Sequence, residues 1–289
     1  MPFNRRAFIT SLGASGIALA LTKVLRTGDK VMKQPIIFLG HGSPMNAILE
    51  NDFTKKLQGL AKTLGRPKAI LMVSAHWETQ GTWLTGMDQP KTIHDFGGFP
   101  RPLFEVQYPA PGSPELVLDI QGEIKNPLIG ADFNRWGLDH GTWSVLRHIY
   151  PQADVPVIQL SLDRTKPFEF HYELGKQLSF LREQGVMIMG SGNIVHNLRI
   201  LSREIDAPAM DWAVEFDQWA KQRIEERDFM ALVKDPLKSK VGQLSIPSPE
   251  HYLPLLYILG AAAKDDQLTF DIEDIQNGSL AMRSVRFSS

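Results

Sequence analysis

Four histidines of this chain stand in compact motifs where they could work together. They are His41 in Gly40-His41-Gly42-Ser43-Pro44-Met45, His76 in Ser74-Ala75-His76-Trp77, His196 in Asn193-Ile194-Val195-His196-Asn197 and His251 in Pro249-Glu250-His251-Tyr252. Neutral imidazole presents a nitrogen lone pair and is the commonest protein ligand for zinc, iron and copper. The first two motifs follow apolar runs, and the third follows a Gly-Ser-Gly-Asn turn. One such histidine alone more often packs than ligates, but four together favour a shared mononuclear metal site. The chain has no cysteine, so thiolate ligands, disulfides and a cysteine nucleophile are excluded, and nitrogen and oxygen must hold any ion.

The other four histidines carry less weight. His148 sits in a helical pattern and His171 near a helix start, so both read as packing or surface residues. His94 and His140 each adjoin an aspartate (Asp95, Asp139) in glycine- and aromatic-rich loops. They read equally as loop histidines bonded to their neighbours or as acid, base or substrate contacts. Rival motifs are weak. Gly190-Ser191-Gly192 lacks the third glycine and downstream acid of a dinucleotide fingerprint. Ser43 and Ser191 lack the nucleophile-elbow context of a serine hydrolase, and no paired-histidine metalloprotease helix occurs.

The elements that must position these residues alternate between strand and helix. Pro35–Leu39, Ala69–Val73, Val155–Leu160 and Val186–Met189 read as buried strands. Asp52–Leu64 has helical spacing and ends at Gly65, a C-cap. Ser113–Ile124 starts with Ser113 as N-cap and Pro114 at the first helical position. Further helices are expected around Val145–Ile149 and over 171–183, 210–226 and 252–263, and the alternating 280–287 segment reads as an edge strand. The first two strands with their intervening helix form a βαβ unit, parallel and right-handed. His41 and His76 then fall on adjacent strand ends, at the carboxyl edge where open α/β sheets bind ligands. From Gly86 to Pro114 the chain reads as a long structured loop, a kind that is usually functional.

At 289 residues, with 43% apolar and 22% charged residues, the chain can bury one large core. Lys and Arg number 31 against 32 Asp and Glu, with no basic block, so nucleic acid is not an expected partner. Residues 1–30 read as a twin-arginine signal segment: Asn4-Arg5-Arg6-Ala7-Phe8-Ile9-Thr10, an uncharged stretch from Leu12 to Leu21, and a small-x-small site at Ala18-Leu19-Ala20. That stretch is too short to span a bilayer, so export to the periplasm is expected, without stable membrane insertion. An amphipathic N-terminal helix is the alternative. Residues 31–289 read as one catalytic domain.

The motifs also carry a resemblance. His41-Gly42-Ser43-Pro44-Met45, Ser74-Ala75-His76-Trp77, Thr92-Ile93-His94-Asp95-Phe96-Gly97-Gly98-Phe99, Tyr108-Pro109-Ala110-Pro111-Gly112-Ser113-Pro114, Gly137-Leu138-Asp139-His140-Gly141, Ser191-Gly192-Asn193-Ile194-Val195-His196-Asn197 and Glu250-His251-Tyr252-Leu253-Pro254-Leu255 resemble, in order, those of the DOPA 4,5-dioxygenase family of class III extradiol ring-cleavage dioxygenases. The resemblance runs from Pro35 to the C-terminus. It implies a single α/β domain whose central mixed, largely parallel sheet is flanked by helices, with the metal site at the carboxyl edge of the strands. It implies a catechol substrate such as L-DOPA, O2 as co-substrate, and one divalent ion, zinc(II) or iron(II), held by His41, His76 and His251. His196 matches a position that is either a fourth ligand or an acid/base, and the leader departs from the family's mostly cytoplasmic pattern.

If the reaction is extradiol cleavage, counting separates these roles. Three protein ligands on six-coordinate iron(II) leave three positions, enough for both catechol oxygens and O2, whereas four ligands leave two. His196 is therefore expected to move protons, with His140 as a second catalytic residue and with His94 and Tyr108 shaping the substrate pocket. Glu250 is a carboxylate rival to His251, but on a helix the two would point about 100° apart. Redox-inert zinc could not perform the oxygenation. A zinc-dependent hydrolase and a non-catalytic metal-binding interaction protein are the alternative functions.

Overall fold

Strands whose residues are apolar throughout must be covered on both faces, and they form the centre of this fold. The structure, a computed structural model, describes residues 33–289, so the signal segment expected over residues 1–30 lies outside the described residues. The strands are β1 (Ile36–Gly40), β2 (Ala69–Thr79), β3 (Thr82–Thr85), β4 (Ile129–Asp132), β5 (Val157–Asp163), β6 (Val186–Gly192), β7 (Gln267–Thr269), β8 (Ile275–Gln276), β9 (Leu280–Ala281) and β10 (Ser284–Ser288). The helices are α1 (Asp52–Leu64), α2 (Arg101–Phe104), α3 (Pro114–Glu123), α4 (His140–Ile149), α5 (Phe168–Leu178), α6 (Asp211–Glu225), α7 (Phe229–Lys234), α8 (Lys240–Ser245) and α9 (Leu253–Ala261). No helix among the described residues is long and apolar enough to cross a membrane.

Eight strands form one sheet in the order β4-β3-β5-β2-β6-β1-β10-β7. Its centre, β5-β2-β6-β1, is parallel. Antiparallel β10 and β7 extend one side, and β3, antiparallel to β5 and parallel to β4, extends the other. Successive residues of β1 face opposite layers, as a period of two requires. Ile36 and Phe38 pack with α5, α6 and α9, whereas Ile37 and Leu39 pack with α1 and α4. This is the expected single α/β domain with a mixed, largely parallel sheet.

Local chemistry sets the helix ends. Asn51 and Thr54 form a reciprocal capping box on α1, and Gly65 ends it with φ at 67°. Ser113 caps α3 ahead of Pro114, and Asp139 caps α4 by accepting the Thr142 N–H.

Three expectations need correction. β1 and β2 are parallel but not neighbours, because β6 lies between them. The glycines of β6 explain why it fits there. A side chain on Gly190 would meet the Pro254 carbonyl, and one on Gly192 would drive into the His251 carbonyl oxygen, so their absence lets the chain entering α9 press onto the sheet. The alternating C-terminal segment is two strands, β9 and β10, and β10 is interior: the three-residue β7, too short to signal itself in sequence, forms the edge. His140 is the first residue of α4, not a loop residue. The short elements β3, β4, α7 and α8 were not anticipated, since four to six residues hold too little periodicity to read.

The close approach at Gly192 has a measurable consequence. Gly192→Ala is expected to destabilise the fold by about 1–3 kcal/mol, the cost of an overpacked site, and to displace His251. Urea unfolding measures the first effect and metal affinity the second. An unchanged midpoint with unchanged affinity would show that the contact does not position His251.

Candidate metal centre and its acid–base residues

Each histidine of the principal group is delivered by a strand end or a tight turn. β1 carries the chain to His41, whose N–H continues the pairing by donating to the Gly192 carbonyl (3.0 Å). Gly42 then turns the chain away with φ at 61°. His76 lies in an irregular stretch of β2, between Val73, which pairs with Leu160, and Glu78, which pairs with Leu162. β2 thus takes five steps where β5 takes two, and such a bulge re-aims side chains. β6 runs on through Asn193 to His196, whose N–H donates to Ser245 O (2.9 Å). His251 occupies the turn before α9, where its carbonyl accepts the Asn193 N–H (2.9 Å). The parallel strand ends therefore bring His41, His76 and His196 to the expected carboxyl edge.

The hydrogen bonds assign the tautomers. Ser191 Oγ donates its only proton to the Gly141 carbonyl (2.5 Å), so at 2.9 Å it accepts from His41 Nδ1. His251 Nδ1 donates to Glu250 Oε1 (3.0 Å). His76 Nδ1 lies 3.3 Å from Asp95 Oδ2, an oxygen that can only accept and so favours the proton on that nitrogen. His41 and His251 are thereby held through Nδ1 with a bare Nε2 lone pair, and the Asp95 contact favours the same tautomer for His76. The Nε2 atoms of His41 and His76 are 3.1 Å apart. Two lone pairs facing each other repel, whereas a cation shared between them would bond both. Two metal–nitrogen bonds of about 2.1 Å allow a separation up to about 4.2 Å.

One nitrogen from each of His41, His76 and His251 lies within 4.8 Å of the others. Burial, then the neighbouring histidines, holds His41 and His251 well below the usual imidazole range. Burial lowers His76 to about 3. All three are therefore neutral donors near pH 7, and the donor set fits a divalent transition-metal ion.

His196 is arranged differently. Its ring lies flat on that of His251, with centroids 3.4 Å apart and planes at 7°. Lone pairs lie in the ring plane, so an ion in the plane of His251 stands about 3.4 Å off the plane of His196, well beyond a bond of about 2.1 Å. Glu250 also approaches this pair, but its Oε1 is occupied by His251 Nδ1 and the Ser248 hydroxyl (2.9 Å). Glu250 orients His251 through that oxygen. Burial lowers His196 to about 4.

His140 joins the group from the opposite side, with its ring 3.9 Å from that of His76. Asp95 accepts both its Nδ1–H and its backbone N–H, each at 2.9 Å. Burial raises the Asp95 carboxyl, but the His140 hydrogen bond and the histidine charges outweigh this and leave it lowered. Phe96 stands edge-on to His140 at 5.4 Å. His94 lies behind that wall, its Nε2 bonded to Val106 O (3.0 Å) and its ring against Phe96 and Trp143. Tyr108 is not brought to the group: it is 2% exposed, and its hydroxyl donates to Tyr150 O (3.0 Å).

Sequence reasoning missed the supporting shell of Asp95, Ser191, Asp139 and Ser74. Asp139 accepts from Ser74 Oγ (2.7 Å), Trp136 Nε1 (3.2 Å) and the Gln159 amide beneath His140, and burial raises its carboxyl. Both aspartates sit beside histidines in the sequence, which is a usable signal. What it does not reveal is that Asp95 serves His140 and His76 and not its neighbour His94.

Groups that fix a ligand's tautomer typically carry 10- to 100-fold in metal affinity, so Ser191→Ala is expected to weaken divalent-metal binding by about that factor. Competition with a chelator measures it. Unchanged affinity would contradict the assignment of the proton to His41 Nδ1.

Residues 34–281 match the family described as the catalytic LigB subunit of aromatic ring-opening dioxygenase. The chain is 46% identical over 259 residues to a 4,5-DOPA dioxygenase extradiol of Escherichia coli K12, covering 88% of this chain and 94% of that protein. It is 36% identical to the Beta vulgaris protein of the same name, covering 87% of this chain and 96% of that one. A crystal structure of an uncharacterized Escherichia coli K12 protein superposes with a TM-score of 0.76 at 41% identity, over 88% of this chain and 99% of that one.

Proposed function

On the premise that this chain belongs to the family of the catalytic LigB subunit of aromatic ring-opening dioxygenases, we propose that it cleaves L-DOPA or a closely related catechol at the 4,5 bond, adding both atoms of O2. The observation that carries this reading is the convergence of three neutral imidazole nitrogens with two further histidines packed close beside them. The choice of L-DOPA follows the name shared by the bacterial and plant relatives.

His41, His76 and His251 would hold the metal, and iron(II) is the ion proposed. Bound there, it supplies the one-electron chemistry that catechol and O2 require and that zinc lacks. The chain's own residues manage the protons. Neutral His196 accepts the proton of the second phenolic hydroxyl and returns it as the ring opens. His140, fixed at Nδ1 by Asp95, presents Nε2 as a second proton-handling group. The buried Asp139 network keeps α4, and with it His140, in register.

Anaerobic loading with iron(II), followed by L-DOPA and air, tests the activity. A yellow ring-opened product that forms only with O2 is expected. Catechols left intact by the iron protein, together with ester or amide hydrolysis by the zinc protein, would overturn it. His196→Ala is expected to retain metal and to lose about 10²- to 10⁴-fold in turnover, the usual worth of general acid–base catalysis. Metal lost with that side chain would contradict the proton-transfer role.

We also propose that residues 1–30 direct export of the folded, metal-loaded protein to the periplasm. Fractionation of cells expressing the full chain checks this. Replacing Arg5 and Arg6 together by Lys is expected to retain the protein in the cytoplasm, and an unchanged distribution would refute the leader.

A further inference from the structure

A cleft of about 580 Å³ opens where the carboxyl ends of β2 and β5 meet the β3–β4 edge. Trp77, Trp83 and Phe133 give it aromatic walls, and Trp77 is braced by stacking on Trp136 (5.9 Å, 4°). Its charged lining is Glu78, Asp132, Arg135 and Arg164. The Asp132 carboxylate is occupied by the backbone N–H groups of Asn134, Arg135 and Trp136 at 2.7–3.2 Å. Those bonds keep Asp132 charged beside Arg135, and among the described residues Glu78, Arg135 and Arg164 are the charged side chains of the lining without a hydrogen-bonded partner. Among the described residues neither arginine has an ion-pair partner, and Glu78 and Arg164 sense each other's charge without touching.

The cleft shares strand β2 with the metal centre. Glu78 lies two residues beyond His76 on β2, at most about 7 Å along an extended strand. Arg164 follows the end of β5 and is fixed by its N–H on Thr79 O (3.0 Å). An offset of about 7 Å between His76 and Glu78 is of the order of the length of a short side chain on a catechol ring.

We propose that this cleft is the subsite for the amino-acid portion of the catechol substrate, with Arg164 and Arg135 receiving its carboxylate and Glu78 its ammonium group. The inference rests on the catechol-cleaving activity proposed above. A purely anionic group such as a phosphate would meet repulsion from Glu78, and an apolar side chain would leave all three charges without use. Separated opposite charges between aromatic walls suit a zwitterion: arginine pairs with carboxylate in a planar fork, and tryptophan faces favour an ammonium group.

The test compares kcat/KM of the iron-loaded full-length protein for L-DOPA, dopamine, 3,4-dihydroxyphenylpropionate and 4-methylcatechol. A charge-assisted hydrogen bond at a partly exposed site carries about tenfold. Arg164→Gln is therefore expected to lower the preference for L-DOPA over dopamine by about tenfold, mainly through KM. Glu78→Gln is expected to lower the preference for L-DOPA over 3,4-dihydroxyphenylpropionate by a similar factor. Anaerobic calorimetry with L-DOPA should show the same weakening without turnover. Preferences that stay unchanged in both variants, or that fall equally for 4-methylcatechol, would overturn the subsite while leaving ring cleavage intact. Wild-type protein that cleaves none of the four would overturn the activity itself and this inference with it.

Discussion

Lone pairs that converge on one point repel, and the fold has to hold them there before any ion arrives. His41, His76 and His251 each present a bare Nε2 because a specific acceptor takes the proton on the other nitrogen: Ser191, Asp95 and Glu250, respectively. Those acceptors come from different parts of the chain, and Ser191 can accept only because its own proton goes to Gly141 at the start of α4. The interaction therefore ties β1, β2, β6, α4 and the turn before α9 into one constraint. Much of the buried polar chemistry of this protein serves it.

The sheet order follows from the same requirement. With β6 between β1 and β2, Ser191 sits beside Leu39 on one side and Ser74 on the other. Ser191 then reaches His41, while Ser74 reaches Asp139 at the cap of α4. Gly190 and Gly192 let the chain around His251 lie close against the sheet. A side chain at Gly192 would drive into the His251 carbonyl, so that glycine belongs to the site with the histidines.

Strongly periodic elements were legible in the sequence. Helix α1 with its glycine terminus, helix α3 with its Ser-Pro start, and the four buried strands all announce themselves through spacing and caps. The order of the strands was not legible, because strand–helix–strand spacing fixes direction and leaves open whether a later strand inserts between the two. The histidines were legible as a group through their motifs, and counting coordination positions already set His196 apart as the expected proton carrier. The stack of His196 on His251 at 3.4 Å is the structural feature that accords with that division. Asp95 was visible only as the neighbour of His94, because a partnership across 45 residues leaves no local pattern. The charges of the side cleft were invisible for the same reason: Glu78 and Arg164 come near each other, without touching, only through the pairing of β2 with β5.

The most direct measurement is anomalous diffraction at the iron edge from crystals of the iron(II)-loaded protein. One peak is expected within about 2.1 Å of Nε2 of His41, His76 and His251, with both nitrogens of His196 beyond bonding distance. A peak bonded to His196, or centred on Glu250 and away from His41, would contradict the account.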